Sequence, residues 1–370
     1  MSSSQIEIQL TAIVVAAACA LPGVYLVLRR MALISDAISH SILLGIVVAF
    51  FIVHNLSSPF LVFGAAFTGV LTVFLVEVLK KSGLVAEDAA IGLVFPLLFS
   101  LGVILISKYS GDIHLDTDSV LLGELAFIPF DRLEFWGMDF GPRALAVMSG
   151  ILFLNILFIL LFYKELKIST FDAGLAASLG LSPVIFFYAL MSLTSLTAVG
   201  AFDAVGSILV VALMIAPPAA AYLLTDRLSI MLILAVIFGV VSAIAGYWLA
   251  HYLDASIAGC MATVTGVVFG LSFTFAPNRG LVSIALRRRG QRLRFAVMML
   301  SIHILNHEEA GNAAIENRVD TLDRHVAWDK HLIEKVVSKM KKSGLANTDS
   351  GLLVLTDSGR KFAAEAMLDI

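Results

Sequence analysis

The sequence is poor in charge, in cysteine and in nucleotide-binding motifs, and each shortage excludes a class of protein. Charged residues make up 14% of the 370 positions, whereas soluble domains carry about 25%. An ordinary soluble enzyme is therefore excluded. The two cysteines, Cys19 and Cys260, stand far apart in apolar segments, which argues against a disulfide framework or a thiolate metal site. No GxxxxGKS or GxxxxGKT stretch occurs, so the chain is not expected to hydrolyse nucleotides itself.

Long apolar runs dominate the sequence instead. Hydrophobic residues make up 59% of the chain, and its mean hydropathy is +0.95. Runs of about 20 apolar residues can cross a bilayer as helices, so we predict an all-α polytopic membrane protein with eight or nine spans. The first run ends in Arg29-Arg30 and lacks a basic segment before it, which indicates a retained span rather than a signal peptide. The candidate spans are residues 6–28, 37–54, 59–79, 89–107, 143–163, 183–200, 205–224, 229–250 and 256–275.

Basic residues follow every second span, and this alternation predicts the orientation of the chain. They all fall on the cytoplasmic side if the N-terminus lies outside, and the long acidic 108–142 loop is then also outside. The arginine cluster after the last span is expected to rest on anionic lipid. The basic positions are Arg29, Arg30, Lys80, Lys81, Lys164, Lys167, Arg227 and the cluster from Arg279 to Arg294.

Asp36 and His40 form the most distinctive pair in the membrane part. Four residues apart, they share one face of a helix. Ionisable groups inside a span are costly, so a functional role is the default expectation. A carboxylate with an imidazole suits half of a site for a divalent transition metal, and a pair without a cysteine mildly favours manganese or iron. The alternative is structural: Asp36 caps the helix and His40 bonds a neighbouring backbone group.

Other ionisable residues are weaker candidates for a metal site. His114, Asp116 and Asp118 alternate in the outer loop and could line a cation site, although a solvated acidic loop that attracts cations is the simpler interpretation. Asp203 begins a run rich in small residues. It either faces the same ion pathway as Asp36 or caps a helix at the membrane interface. Pro217-Pro218 in that run predict a kinked or broken helix.

Segment 164–183 is a short, helix-prone connection on the predicted cytoplasmic side. Asp172 is a candidate N-cap, and Gly180 is a candidate stop. A helix of small residues suits docking into a groove on a partner protein. An ordinary helical connector is the simpler alternative.

Beyond the spans, basic residues outnumber acidic ones. Apolar residues at helical spacing, a helix from about Trp328 to Lys342, a β-prone hairpin and a last helix from Asp357 predict a small α+β winged-helix domain. We divide the chain into a membrane domain (1–280), a basic juxtamembrane linker (281–294) and a cytoplasmic winged-helix-like domain (295–370). A regulatory or protein-docking role is favoured over DNA binding, because the lysines suffice only for weak phosphate contact. The apolar positions are Phe295, Met298, Met299, Ile302 and Leu305, and the lysines are Lys335, Lys339, Lys341 and Lys342.

Three motifs, in order, resemble the manganese, zinc and iron permeases of ABC importers. They are RRMALISDAISHSILLGIVVAF, TFDAGLAASLGL and AVGSILVVALMIAPPAAAYLL, and the resemblance covers about residues 6–280. It implies a permease of the type II importer kind that forms a homodimer or heterodimer in the bacterial inner membrane. It also implies separate cytoplasmic ATPase subunits and an extracytoplasmic metal-binding protein as partners.

The resemblance further implies roles for individual residues. Asp36 and His40 correspond to pathway ligands for a transported Mn, Zn or Fe ion, with no permanently bound cofactor. Residues 170–181 correspond to the coupling helix that sits in the ATPase groove. The matching positions in this loop are Phe171, Asp172, Gly174, Ala177 and Gly180.

Some members of the family carry a winged-helix extension related to metal-dependent repressors. His303, His307 and Glu308 are the candidate metal ligands of such an extension here. Two other functions stay open on the sequence alone. One is an ion-coupled secondary metal transporter in which Asp203 joins the pair in the second span as a proton relay, and the other is a membrane-tethered, metal-responsive transcription regulator.

Overall fold

The computed structural model describes residues 2–55, 58–109, 125–135, 138–326 and 328–368. The chain forms two compact units, Met1–Gly280 and Leu281–Ile370.

The first unit is almost entirely helical. A turn of 3-10 helix, Leu125–Phe130, and an antiparallel pair of strands, β1 (Arg132–Phe135) and β2 (Met138–Pro142), precede the fifth helix. The helices are α1 (Ser3–Leu28), α2 (Leu33–Val53), α3 (Pro59–Lys81), α4 (Glu87–Tyr109), α5 (Arg143–Leu161), α6 (Tyr163–Phe171), α7 (Ala173–Ser178), α8 (Pro183–Val205), α9 (Ser207–Leu224), α10 (Leu228–Leu253) and α11 (Ile257–Phe275).

Nine helices in the described residues are long and apolar enough to cross a membrane, namely α1 to α5 and α8 to α11. They confirm the predicted spans except at one boundary. The break between α8 and α9 is at Gly206, whose φ is 78°, and not at 198–204. Helix α9 then continues through Pro217-Pro218, so the two prolines do not break it.

Helix α1 lies at the centre of the first unit. Its residues from Val15 to Leu26 are buried, and it packs against α5, α8, α9 and α10. Small residues permit this packing, because a Cβ added to Gly23 would lie 2.1 Å from the carbonyl oxygen of Met214 in α9. Close backbone approach of this kind is the usual way in which membrane helices associate.

A buried amide ties three of these helices together. Asn155 in α5 is fully buried. Its Nδ2 donates to the carbonyl oxygen of Ala18 in α1 at 3.0 Å and to Thr197 Oγ1 in α8 at 3.1 Å. Because a polar group in an apolar interior needs a partner, these bonds fix the relative positions of the three helices.

The second unit is a small α+β structure. Strands β3 and β4 pair antiparallel, and Arg318 forms a bridge to Leu352 of β4. The positive φ angles of Ser350 (50°) and Gly351 (85°) suit the tight turn between these strands. The elements are α12 (Leu281–Glu309), α13 (Ala313–Glu316), α14 (Leu322–Val326), α15 (Lys330–Lys342), β3 (Ala346–Asp349), β4 (Leu352–Leu355) and α16 (Asp357–Leu368).

Helix α12 differs from the sequence expectation in two respects. Residues 281–294, expected as a separate linker, form the first half of this helix and run continuously into its second half. Among the apolar positions singled out in the sequence, Phe295 and Met299 are 58% and 42% exposed. The helix instead buries a neighbouring stripe of residues. The buried stripe consists of Ala296, Val297, Leu300, Ser301 and Ile304.

Candidate functional site

A tight turn between α1 and α2 places Asp36. Arg30 has a φ of 61°, and the N–H of Met31 donates to the carbonyl oxygen of Leu26 at 2.9 Å, which is the 6→1 bond of a Schellman motif. Helix α2 then begins at Leu33, and its N-cap is Ala32, which makes no side-chain capping bond. Asp36 therefore lies inside the first turn and does not cap the helix, so the structural alternative for this residue is wrong.

Asp36 and His40 lie side by side on α2. His40 Nε2 is 3.4 Å from Asp36 Oδ1, and their side chains are 31% and 41% exposed. The rings of Phe95 and Phe99 from α4 stand 5.8 and 6.1 Å from the imidazole, between centroids. An apolar wall therefore covers one side of the pair, and the other side stays accessible to an ion.

The Asp36 carboxylate and the His40 imidazole supply only about half of the ligands that a metal ion needs. No third His, Cys, Asp or Glu among the described residues joins Asp36 and His40 in a three-ligand cluster. Divalent transition metals take four or more ligands. Water or another subunit would have to supply the remainder.

The helix that carries the pair is held rigidly against α3. Thr72 Oγ1 donates to Ser41 Oγ at 2.7 Å, and both side chains are buried. One turn further on, a Cβ added to Gly45 would lie 2.2 Å from the carbonyl oxygen of Gly64, so the two backbones touch. A rigid support of this kind fixes ligand positions more precisely than a loop does.

The other sequence candidates are not part of this pair. Asp203 is exposed in the last turn of α8. His114, Asp116 and Asp118 lie outside the described residues. The acidic outer loop therefore stays a sequence-based expectation.

The predicted docking loop is formed by α6, α7 and the turn after them. Asp172 Oδ1 accepts a hydrogen bond from the N–H of Leu175 at 2.9 Å, which confirms Asp172 as the N-cap of α7. Gly180, with a φ of 80°, follows α7 and confirms the predicted stop. Phe171, Asp172, Gly174, Ala177 and Gly180 are all exposed.

This loop also presents apolar residues that the sequence reading missed. Leu175 is 49% exposed and Leu179 is 60% exposed, beside Phe171 at 60%. The spacing of four between Leu175 and Leu179 is visible in the sequence and places both on one side of α7 and its C-cap, whereas Phe171 is the last residue of α6. An exposed apolar face outside a span is typical of a protein-docking surface.

The lysines of the second unit lie on exposed positions of α15. Lys335, Lys339 and Lys342 recur at intervals of four and three residues and so share one face. Lys341 is also exposed. The opposite face of the helix is buried in the core of the unit, through Ile333, Val336, Val337 and Met340.

Comparisons with known proteins agree on one family. Residues 4–276 match the family described as ABC 3 transport family. The zinc transport system membrane protein TroD of Treponema pallidum is 47% identical over 98% of this chain and 99% of its own length. The manganese transport system membrane protein MntD of Bacillus subtilis is 47% identical over 75% of this chain and 94% of its own. The solved structure of PsaBC from Streptococcus pneumoniae in complex with Fab superposes with a TM-score of 0.64 at 28% identity, covering 77% of this chain and 96% of that one.

Proposed function

Because the chain belongs to the ABC 3 transport family, it is a permease subunit of a metal-ion ABC importer, and we propose that Asp36 and His40 bind the transported ion. The observation that carries this proposal is the pair itself: a carboxylate and an imidazole 3.4 Å apart, partly exposed, on an otherwise apolar span. Such groups are costly in a membrane unless they serve an ion pathway.

The cargo is a divalent transition-metal ion, Mn(II), Zn(II) or Fe(II). Oxygen and nitrogen ligands suit all three, and relatives of equal identity are named for zinc and for manganese. A transport site must also release its ion. A two-ligand half-site, completed by water or by the same pair in a second permease subunit, binds weakly enough to do so.

Energy for transport comes from separate ATPase subunits, because the chain has no GxxxxGKS or GxxxxGKT motif of its own. The loop formed by α6 and α7 is the docking point for these subunits. Its exposed apolar face, with Phe171, Leu175 and Leu179, suits insertion into a groove on a soluble partner. Closure of the ATPases then moves this loop and switches the pathway inward.

The chain lies in the bacterial inner membrane with its N-terminus outside. This orientation places the basic turns and the second unit in the cytoplasm. An extracytoplasmic metal-binding protein delivers the ion to the acidic outer loop. In the cytoplasm, the lysine face of α15 serves as a weak docking surface for a partner protein, ahead of DNA.

The test is metal accumulation in cells that carry the complete transporter, measured for Mn, Zn and Fe. Asp36→Ala and His40→Ala are compared with wild type and with Asp203→Ala, which removes an exposed carboxylate outside the pair. We expect both pair variants to reach the membrane in normal amount and to lose uptake of one metal by about tenfold or more, since each removes one of two ligands. Asp203→Ala should transport normally.

Persistence of uptake in both pair variants would refute the assignment of the ion site. Loss of uptake in Asp203→Ala alone would move the site to the end of α8. Amounts of transporter in the membrane, measured on the same cells, separate a loss of transport from a loss of assembly.

A further inference from the structure

The second unit contains a cluster of metal-ligating side chains that is separate from the pair in α2. His303 and His307 stand one turn apart on α12, with ring centroids 4.5 Å apart. Glu316, the last residue of α13, completes the cluster, since one ligand atom from each of the three residues lies within 4.8 Å of the others. Among the described residues, this is the one group of three such side chains.

Two imidazole nitrogens in this cluster have no hydrogen-bond partner among the described residues. They are His303 Nε2 and His307 Nδ1, and both atoms are buried. A buried polar atom without a partner is costly.

The surrounding structure brings Glu316 back to the histidines. Gly311, with a φ of 75°, reverses the chain between α12 and α13. Asn317 is fully buried, and its side chain donates to the carbonyl oxygen of Ile304 at 3.4 Å, which ties the end of α13 to the turn of α12 between the histidines. His325 Nδ1 lies 2.6 Å from Glu316 Oε2 and thereby orients the carboxylate.

The neighbouring acid, Glu308, is engaged elsewhere. Its Oε1 accepts a hydrogen bond from the N–H of Leu355 in β4 at 3.0 Å, and its Oε2 pairs with Arg360 at 3.2 Å. Glu308 therefore fastens α12 to the hairpin and to α16. Among the described residues, Glu316 rather than the expected Glu308 groups with the two histidines.

We propose that the second unit binds a divalent transition-metal ion through His303 Nε2, His307 Nδ1 and the carboxylate of Glu316. Two imidazoles and one carboxylate form a ligand set that Zn(II) and similar ions accept, with a remaining position for water. Two ligands at about 2.1 Å from one ion are at most about 4.2 Å apart, so small side-chain rotations close the cluster onto the ion. His325 is a positioning residue.

The ion would join α12 to α13, and the contact of His325 with Glu316 would link α14 to the same site. The second unit thus gains a metal-dependent conformation. This site stands on its own geometry and does not require the proposed transport site to be correct.

The test uses the full-length chain in detergent, freed of metal and dialysed against Co(II), whose visible absorption reports ligand type and geometry. In the Asp36→Ala/His40→Ala background we expect one Co(II) per chain and an absorption band of imidazole ligation. Adding His303→Gln and His307→Gln should abolish both. Adding His331→Gln instead, at an exposed position of α15, should leave both unchanged. His325→Gln should weaken binding about 10- to 100-fold without changing the stoichiometry, as loss of an orienting partner does.

Retention of the band in the His303→Gln/His307→Gln chain would overturn the proposal, as would absence of Co(II) from the parent background.

Modification of the unaltered chain by diethyl pyrocarbonate covers the case in which a variant fails to fold. Zn(II) should protect His303 and His307 from the reagent and leave His331 reactive, as read by peptide mass spectrometry. Equal modification of all three residues with and without Zn(II) would contradict the site. These readouts do not involve transport, so failure of the transport assignment leaves them unaffected.

Discussion

Arg29, at the end of α1, donates a hydrogen bond from Nε to Thr170 Oγ1 in α6 over 3.3 Å. A second bond runs from the same guanidinium to Ser169 Oγ at 3.3 Å, and the guanidinium carbon lies 5.6 Å from the centroid of the Phe187 ring in α8. Ser169 and Thr170 lie in the last turn of α6, within the docking loop. The turn that leads into Asp36 is thus bonded directly to the loop on which the ATPases are proposed to act.

We expect Arg29→Ala to lower ATP-driven metal uptake without preventing assembly of the transporter. Removing the guanidinium disconnects the docking loop from the turn before α2, so loop movement is transmitted less completely. A coupling free energy of about 0.5–2 kcal/mol corresponds to about a 2- to 30-fold loss of uptake. The measurement is uptake per ATP hydrolysed in reconstituted vesicles.

Arg30→Ala is the matched control for this change. It removes the same charge one residue later, from an exposed side chain. Uptake per ATP should stay near the wild-type value in this variant. Equal ratios in Arg29→Ala and wild type would show that the bonds to α6 are structural only.

The nine spans could be predicted from the sequence, because apolar length and flanking basic residues report directly on the bilayer. The boundary between α8 and α9 could not. The chain is apolar on both sides of it, and the change of direction depends on the φ of 78° at Gly206, for which hydropathy carries no signal. The predicted break at 198–204 is therefore misplaced by a few residues.

The candidate metal sites could likewise be predicted only in part from the sequence. Helical spacing alone brings His303 to His307, as it does for the pair in α2, because residues four apart share a face. Glu316 could not be predicted, since it reaches the histidines through the chain reversal at Gly311. The sequence favours the adjacent Glu308, whose engagement with the hairpin depends on tertiary packing.

The close approach of α2 and α3 leads to a stability prediction. In Gly45→Ala the new Cβ would lie 2.2 Å from the carbonyl oxygen of Gly64 and 2.4 Å from Thr68 Oγ1. The helices must separate to accept it, which should cost about 1–3 kcal/mol, as overpacking does. Thermal unfolding of the purified chain in detergent should show a lowered midpoint, together with reduced uptake because the metal pair is carried on α2.

Gly266→Ala provides the control, since a Cβ at this position of α11 has no atom within 4 Å. There the substitution should leave the midpoint unchanged or raise it slightly, because alanine is the better helix former. A midpoint for Gly45→Ala equal to that of Gly266→Ala would mean that α2 and α3 are farther apart than the structure places them.

The chemistry of the pair in α2 predicts a change in metal preference. Replacing His40 by cysteine keeps a ligand at that position but substitutes a soft thiolate for an imidazole. Soft sulfur ligands favour Zn(II) over Mn(II), so the ratio of Zn to Mn uptake in His40→Cys should rise on the order of tenfold, which corresponds to about 1.4 kcal/mol. Competition uptake with both ions present measures this ratio directly and is insensitive to the amount of transporter.

Ser39→Cys is the control for His40→Cys. It distinguishes a thiol that binds the ion from one that only alters the packing of α2. Ser39 is 2% exposed and its hydroxyl donates to the carbonyl oxygen of Ser35, so a thiol there is buried and replaces neither Asp36 nor His40. Its Zn to Mn ratio should match wild type. If both cysteine variants changed the ratio alike, the effect would come from repacking of α2. If neither did, His40 would not contact the ion and the metal would be held by other groups.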